Sequence, residues 1–305
     1  MSMTQIVLTS QYNNPLEKEL INLFHCSRLP NHSNKTGNKE FTNYQRISLI
    51  ILFRRSKKAL RDFVKELQES KWTSWLGLRR IPSKSSLQYW IKQFEMKTIR
   101  QLFSFLKPKK SKLTAIDGTG FDSFHRSRHY EKRVGFTKTP YSKVDLFVDV
   151  ESKEIIDFSL VTKHQHDIVA ARQFIKRNNL KGVEVLCDGG YDCEDFHCQI
   201  FEKGGKLYAP VRKMNKRSLL KRPKGFFRRQ CVELPDYMGQ RSIVECINAV
   251  LKRRFLSCLR SKKSCMKKRE FGWVMIVYNL TRKLENSGFE QLEMDSFFVL
   301  VWIFY

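Results

Sequence analysis

Three carboxylates, Asp117, Asp188 and Glu245, stand in local contexts that suit the presentation of oxygen to a divalent metal. Asp117 follows the apolar run Leu113-Thr114-Ala115-Ile116 and precedes Gly118, and Asp188 follows Val183-Glu184-Val185-Leu186-Cys187 and precedes Gly189-Gly190. Short apolar runs of this kind, broken by glycine, predict strands that end at each aspartate. Ligands collect at the carboxyl ends of strands in open α/β sheets, so two neighbouring strands would bring both aspartates within reach of one metal. Glu245 is supplied by a predicted helix that also carries Arg241 and Lys252. The chemistry open to such a set is in-line displacement at a phosphodiester, assisted by two Mg²⁺ or Mn²⁺ ions about 3.5 to 4 Å apart. Mg²⁺ keeps several waters and takes few carboxylates, so three acids from distant parts of the chain suffice. Arg241 and Lys252 would hold phosphate oxygens, the first as a bidentate fork and the second as a point charge. The bland alternative for both is a helix ion pair with Glu245, worth a few tenths of a kcal/mol.

The elements that must position these residues are legible in outline. Over residues 240–254 a helix at about 100° per residue puts Ile243, Val244, Ile247, Val250 and Leu251 on one side. Arg241, Glu245, Asn248 and Lys252 then share an arc of about 60° on the other. An ordinary solvated face would look the same. Upstream, strands are predicted over 113–117, 144–150 and 155–161, a helix over 168–178, a strand over 183–187, a helix over 192–203 and a strand over 206–211. Three strands followed by alternating helix and strand give a mixed sheet. Asp145 and Asp149 alternate with Val144, Leu146 and Val148 and read as the solvent face of the second strand. Glu194 and Asp195 read as first-turn acids that complement a helix dipole. Asp167, ahead of Ile168, reads as an N-cap.

The Asp117-Gly118-Thr119 strand end, the segment Asp188-x-Gly190-Tyr191-Asp192 and the helix Arg241-x-x-x-Glu245-x6-Lys252 together resemble the DDE transposases of prokaryotic insertion sequences. The nearest group is the one numbered four and five, with the signature Tyr-x-x-Arg-x-x-x-Glu-x6-Lys. The resemblance covers about residues 110–281 and makes Asp117, Asp188 and Glu245 the metal triad, with Arg241 and Lys252 as its basic pair. Tyr237 departs from the signature, standing four residues before Arg241 where the pattern has three and Met238. His166-Asp167 also resembles a His-Asp pair of this family. The resemblance implies an α/β fold with a ribonuclease-H-like mixed sheet and flanking helices, preceded by a mainly helical N-terminal domain. It also implies metal-dependent cleavage and strand transfer at transposon ends, on double-stranded DNA of element ends and target, by a homodimer.

Composition agrees with a polyanionic partner. Lys and Arg number 57 against 30 Asp and Glu, a net charge of +27, and the sequence pI is 9.9; such a surplus points to nucleic acid. Residues 212–229 hold Arg212, Lys213, Lys216, Arg217, Lys221, Arg222, Lys224, Arg228 and Arg229 with no acid, and Phe226 and Phe227 stand among them. A basic loop with aromatics over 212–235 fits phosphate and base contact. A second acid-free run occupies residues 252–269. The boundary between domains is expected near Pro108, giving 1–108 and 109–305. The first 110 residues hold 21 basic and 7 acidic side chains. Within them 48–53 and 59–67 have helical apolar spacing, and Pro82-Ser83-Lys84 opens a capped helix. That helix, with Lys84, Gln88 and Tyr89 outward, is a candidate reader of DNA, and a plain helical bundle is the alternative. The first 40 residues, rich in Asn, read as partly disordered.

The remaining features exclude more than they assign. Eight cysteines without a Cys-x-x-Cys pair argue against a zinc ribbon, and Cys193, His197 and Cys198 read as helical core. No secretory signal is visible, so a cytoplasmic, nucleoid-associated protein with free thiols is expected. The apolar stretch 297–305 is too short to span a bilayer at about 20 residues. No phosphate-binding glycine loop is present, so no nucleotide cofactor is expected. Two other readings are compatible with these residues: an inactive relic acting as a DNA-binding protein, and a structure-specific nuclease on the same fold.

Overall fold

The computed structural model describes residues 15–33, 39–122, 133, 142–163, 165–212 and 223–287. The chain divides into two compact units, one of Met1–Leu106 with Leu280–Tyr305 and the other of Lys107–Asn279.

The first unit is helical: α1 (Pro15–Ser27), α2 (Asn43–Ser56), α3 (Leu60–Glu69), α4 (Trp72–Trp75), α5 (Lys84–Gln93) and α6 (Met96–Ser104). Helix α2 begins with a capping box, in which the Thr42 hydroxyl accepts from Gln45 N and the Gln45 side chain accepts from Thr42 N. Its Leu49, Ile50, Ile51 and Leu52 are all fully buried, so its middle turn is covered on every side. Helix α5 starts where the sequence predicts, with Ser83 accepting from Ser86 N. It buries Leu87, Trp90 and Ile91 and leaves Lys84, Gln88 and Tyr89 exposed. Helix α1 was not legible: it lies inside the 40 residues expected to be partly disordered, of which residues 1–14 and 34–38 lie outside the described residues. Leu16, Leu20 and Leu23 supply its buried stripe.

The second unit is built on a five-stranded sheet in the order β3-β2-β1-β4-β5. The strands are β1 (Leu113–Phe121), β2 (Ser142–Asp149), β3 (Ile155–Val161), β4 (Glu184–Leu186) and β5 (Lys206–Tyr208). β1 is antiparallel to β2, and β2 to β3, whereas β1 and β4, and β4 and β5, run parallel. The sheet is mixed, as expected. Helices α7 (Asp167–Arg177) and α8 (Glu194–Glu202) follow β3 and β4. After β5 come the short α9 (Phe226–Gln230), a 3₁₀ turn (Asp236–Ser242), α10 (Ile243–Val250), one π turn (Leu251–Phe255) and α11 (Ser264–Asn286).

Both faces of the sheet are covered. On one, Ile116, Phe147 and Val185 pack with Ala170, Phe174 and Ile175 of α7. On the other, Phe121 and Phe158 meet Phe271 of α11 edge-on, with centroids 5.6 and 5.9 Å apart. That double cover overturns one expectation. Every residue of β2 is buried, Asp145 and Asp149 included, because a sheet packed on both sides has no solvent face for an alternating strand to show. Asp149 instead organises the β2–β3 turn by accepting from Ser152 N and Oγ, both at 2.8 Å. The expected end of β1 at Gly118 is also overturned, since the strand continues to Phe121 in register with β2. Its pairing with β4 does stop early, at Ala115. No helix among the described residues is long and apolar enough to cross a membrane, and none of the eight cysteines is in a disulfide.

The backbone of Ile155, at the start of β3, is satisfied by a side chain. Asn279, fully buried on α11, accepts from Ile155 N at 2.9 Å and donates to Ile155 O at 2.8 Å. An Asn279→Ala variant leaves two buried backbone groups without these partners, at about 1 to 3 kcal/mol each. Chemical denaturation should show a loss of at least about 2 kcal/mol, and a loss below about 0.5 kcal/mol would show that Asn279 does not hold this strand.

Candidate active site

Asp117 lies on β1 opposite Leu146, and Gly118 lies opposite Asp145. Side chains alternate across a strand, so Asp117, Thr119 and Phe121 face the α10 and α11 side, while Gly118 faces α7 with Lys143 and Asp145.

On the α10 side the Arg241 guanidinium joins two acids. Its Nη1 donates to Asp117 Oδ2 at 3.2 Å and its Nη2 to Glu245 Oε1 at 3.2 Å. Arg241 lies in the last turn of the 3₁₀ segment and Glu245 in the first turn of α10, four residues on. Lys252 follows in the π turn, where Leu256 N donates to Leu251 O at 2.8 Å. Its ammonium donates to Thr119 Oγ1 at 2.7 Å and stands 5.2 Å from the Phe121 ring. The predicted single helix over 240–254 is therefore three local geometries, and π turns of this kind recur at functional sites. One member of its expected polar arc moves inward: Asn248 is buried, and its Oδ1 has no hydrogen-bond partner.

Asp188 follows β4 and is held by the turn it begins. Its Oδ1 accepts from Gly190 N at 2.8 Å. A Cβ on Gly190 would stand 2.9 Å from that same oxygen, so the glycine of Asp-x-Gly allows the carboxylate to fold back over it. The three acids sense one another. Burial raises the pKa of Asp117 above the usual carboxylate range; the Gly118 N–H and Arg241 pull it down, and the charges of Asp188 and Glu245 push it up. Carboxylates crowded in this way have a deficit of positive charge, and their hard oxygens suit Mg²⁺. As the side chains are placed, no group of three or more His, Cys, Asp or Glu among the described residues stands close enough to hold one ion. Arg241 is the cation between Asp117 and Glu245.

On the α7 side lies a second charged cluster that the sequence did not disclose. Lys143 Nζ pairs with Asp167, stands 3.2 Å from Asp145 Oδ1 and donates to Gln165 O at 2.9 Å. Asp145 is 1% exposed, yet neither of its oxygens has a hydrogen bond of good geometry. Burial lifts its pKa to about 6, against the opposing pull of Lys143. Gly118 makes room for this group, since a Cβ there would stand 2.9 Å from Asp145 Oδ1 and 3.3 Å from Lys143 Cε. Asp167 is therefore not the N-cap. His166 takes that position without a side-chain cap, and Asp167, the first helical residue, is turned toward Lys143.

The other acids that follow Asp188 have partners of their own. Glu194 accepts from Phe227 N and Arg228 N, and Asp195 pairs with Arg172 at 2.5 Å. Asp192, with its side chain fully buried, receives Arg228 through two bonds of 2.7 and 2.6 Å and Arg212 N at 2.8 Å. It ties both described ends of the basic segment to the start of α8. Lys213, Lys216, Arg217, Lys221 and Arg222 lie outside the described residues. Tyr237, the off-register tyrosine, donates to Glu184 Oε2 at 2.8 Å and meets Tyr208 edge-on, which makes it a brace on β4 and β5.

Residues 108–280 match the transposase DDE domain family, and the chain belongs to that family. No curated protein matches it. Among solved structures, the cryo-EM structure of the piggyBac transposase synaptic complex with hairpin DNA is similar, with a TM-score of 0.49 and 11% identity. The match covers 91% of this chain and 74% of that one.

The Asp145 cluster predicts a pH effect on stability. A folded pKa raised from 3.8 to about 6 contributes stability that is fully present below pH 3.8 and is lost as pH rises through 6. Replacing Asp145 with Asn removes that loss. The stability difference, variant minus parent, should therefore grow between pH 4 and pH 7.5, by on the order of 3 kcal/mol. Urea titrations at the two pH values measure it, and a difference independent of pH would refute a titrating Asp145.

Proposed function

We propose that this protein is a transposase of the prokaryotic insertion-sequence group numbered four and five, and that it binds transposon-end DNA, cuts it and joins it to target DNA. The observation that supports the reading is the Arg241 guanidinium bonded to both Asp117 and Glu245, inside the segment that matches the family, with Asp188 just beyond the strand parallel to β1. In this reading the three carboxylates hold two Mg²⁺ or Mn²⁺ ions, which supply Lewis-acid stabilisation of the attacking and leaving oxygens. The side chains supply the rest. Arg241 exchanges its carboxylate partners for phosphate oxygens, to which its fork is equally matched. Lys252, held at Thr119 and over Phe121, places a point charge on the next phosphate along β1. The partner is double-stranded DNA of element ends and target, bound by a homodimer in the cytoplasm at the nucleoid. Sequence is read by the helical unit, with Lys84, Gln88 and Tyr89 of α5 as readers, while Arg212, Lys213, Lys216, Arg217, Lys221 and Arg222 take phosphates without regard to sequence.

Two measurements test this. Asp188→Asn should abolish Mg²⁺-dependent cleavage of end DNA and leave end binding nearly intact, because the lost charge serves the metal and not the reader. Cleavage equal to the parent's would sink the proposal. Combined replacement of Lys84, Gln88 and Tyr89 by Ala should cut the preference for end over scrambled duplex, at about 1 to 3 kcal/mol per lost base contact. Unchanged discrimination would show that α5 is not the reader.

A further inference from the structure

The second acid-free run, residues 252–269, contains nine Lys and Arg residues, and the structure gives it a fixed shape. Lys252 is held at Thr119. Leu259 N donates to Asp122 O at 2.9 Å, and the Leu256 and Leu259 side chains are buried beneath the loop. The Ser264 hydroxyl meets that of Thr162, just beyond β3, at 3.0 Å. The decisive contact is Glu270. This carboxylate is 1% exposed, with Oε1 3.3 Å from Arg260 N and Oε2 2.8 Å from Ser261 N.

A charge run that serves only solubility needs no such device. Burying a carboxylate costs several kcal/mol unless its oxygens are well used, and here both are used to shape the loop that presents Arg260, Lys262 and Lys263. Each of these, with Lys268 on α11, is exposed. The attachment points follow one strand. Arg241 sits at Asp117, Lys252 at Thr119 and the loop at Asp122, a reach of roughly 17 Å at about 3.4 Å per residue. One strand of duplex DNA carries a phosphate per about 3.4 Å of helix axis, so that reach spans about five phosphates.

We infer that residues 253–268 form a preorganised cradle for the phosphate backbone of duplex DNA leading away from Asp117 along β1, and that Glu270 is the positioning residue that fixes its shape. The inference rests on the reading of DNA as the partner. The leucines of the loop are turned inward, so it offers cations without an apolar anchor, which favours a regular polyanion over a lipid surface.

The test uses the full chain, in EDTA, with fluorescently labelled end-sequence and scrambled duplexes over a salt series. Replacing Lys262, Lys263 and Lys268 together by Gln should flatten the slope of log affinity against log salt by about 2 to 3, equally on both duplexes. Glu270→Ala discriminates more sharply. It raises the net charge by one, so simple charge attraction predicts tighter binding. A cradle that has lost its shape predicts roughly tenfold weaker binding, with Glu270→Gln intermediate because its amide oxygen retains one acceptor. Circular dichroism and thermal melting verify folding, and if Glu270→Ala does not fold, the three exposed lysines carry the test. An unchanged slope in the lysine variant, or binding by Glu270→Ala as tight as the parent's, overturns the cradle. Asp188→Asn assayed beside them separates the two readings: if it is inactive while the loop variants bind normally, only the cradle fails.

Discussion

Two neighbouring strands carry acids on opposite faces of one sheet, Asp117 on β1 and Asp145 on β2, and the second unit holds both charges in place. Asp117 lies on one face. Asp145 of β2, opposite Gly118, lies on the other, and each carboxylate is met by a cation. Arg241 reaches Asp117 from the turn before α10, and Lys143 meets Asp145 from within β2 while also taking Asp167 and the Gln165 carbonyl. Without those cations the two acids would repel across one backbone in a medium of low dielectric, where Coulomb energies are several times those in water. Gly118 is the geometric condition for the arrangement, because a side chain there would occupy the space of the Asp145 carboxylate.

The topology follows from the same requirement. β1 is central, with an antiparallel partner along its whole length on one side and a parallel partner along only its first residues on the other. Beyond Ala115 it is therefore paired on one edge only. Asp188 follows β4 by two residues, beyond the end of that pairing. The 3₁₀ turn, α10 and the π turn then cross the Asp117 face, bringing Arg241 to Asp117 and Lys252 to Thr119, with Glu245 bonded to Arg241. A straight α-helix of the same length would keep the polar residues on one stripe. The π turn instead alters the path at Leu251 and coincides with Lys252 seating on Thr119 and Phe121.

What was legible in the sequence was what depends on periodicity. The existence of β1 and β4, though not their ends, the alternation of helix and strand after β3, and the Ser83 cap all follow from spacing that a short window contains. The rest needed the third dimension. Asp145 alternates with Val144 and Leu146 as a solvent-facing residue would, and nothing local signals that α7 covers that face or that Gly118 leaves a hole opposite. Asp167 has the sequence of an N-cap, but a lysine 24 positions earlier competes for its carboxylate more strongly than a backbone N–H does. Helix α1 escaped notice because its buried leucines are spaced among polar residues in a segment of disordered composition. Glu270 gave no signal at all, since one acid at the end of a basic run looks like a helix charge rather than the anchor of a loop.

The two faces of β1 also differ in what they contribute to stability. Glu245 has a side chain 60% exposed, and its bond to Arg241 joins partners that water can reach. Such pairs contribute about 0 to 1 kcal/mol. The Lys143–Asp145 pair is nearly closed to solvent, with side chains 10% and 1% exposed, and removing one partner of such a buried pair costs about 3 to 5 kcal/mol. The face that carries the proposed chemistry is thus the one on which charge changes cost little folding energy, and the face behind it carries the folding cost. Substitutions at Glu245 report on chemistry with the fold nearly constant, whereas those at Lys143 change the platform on which Asp117 stands.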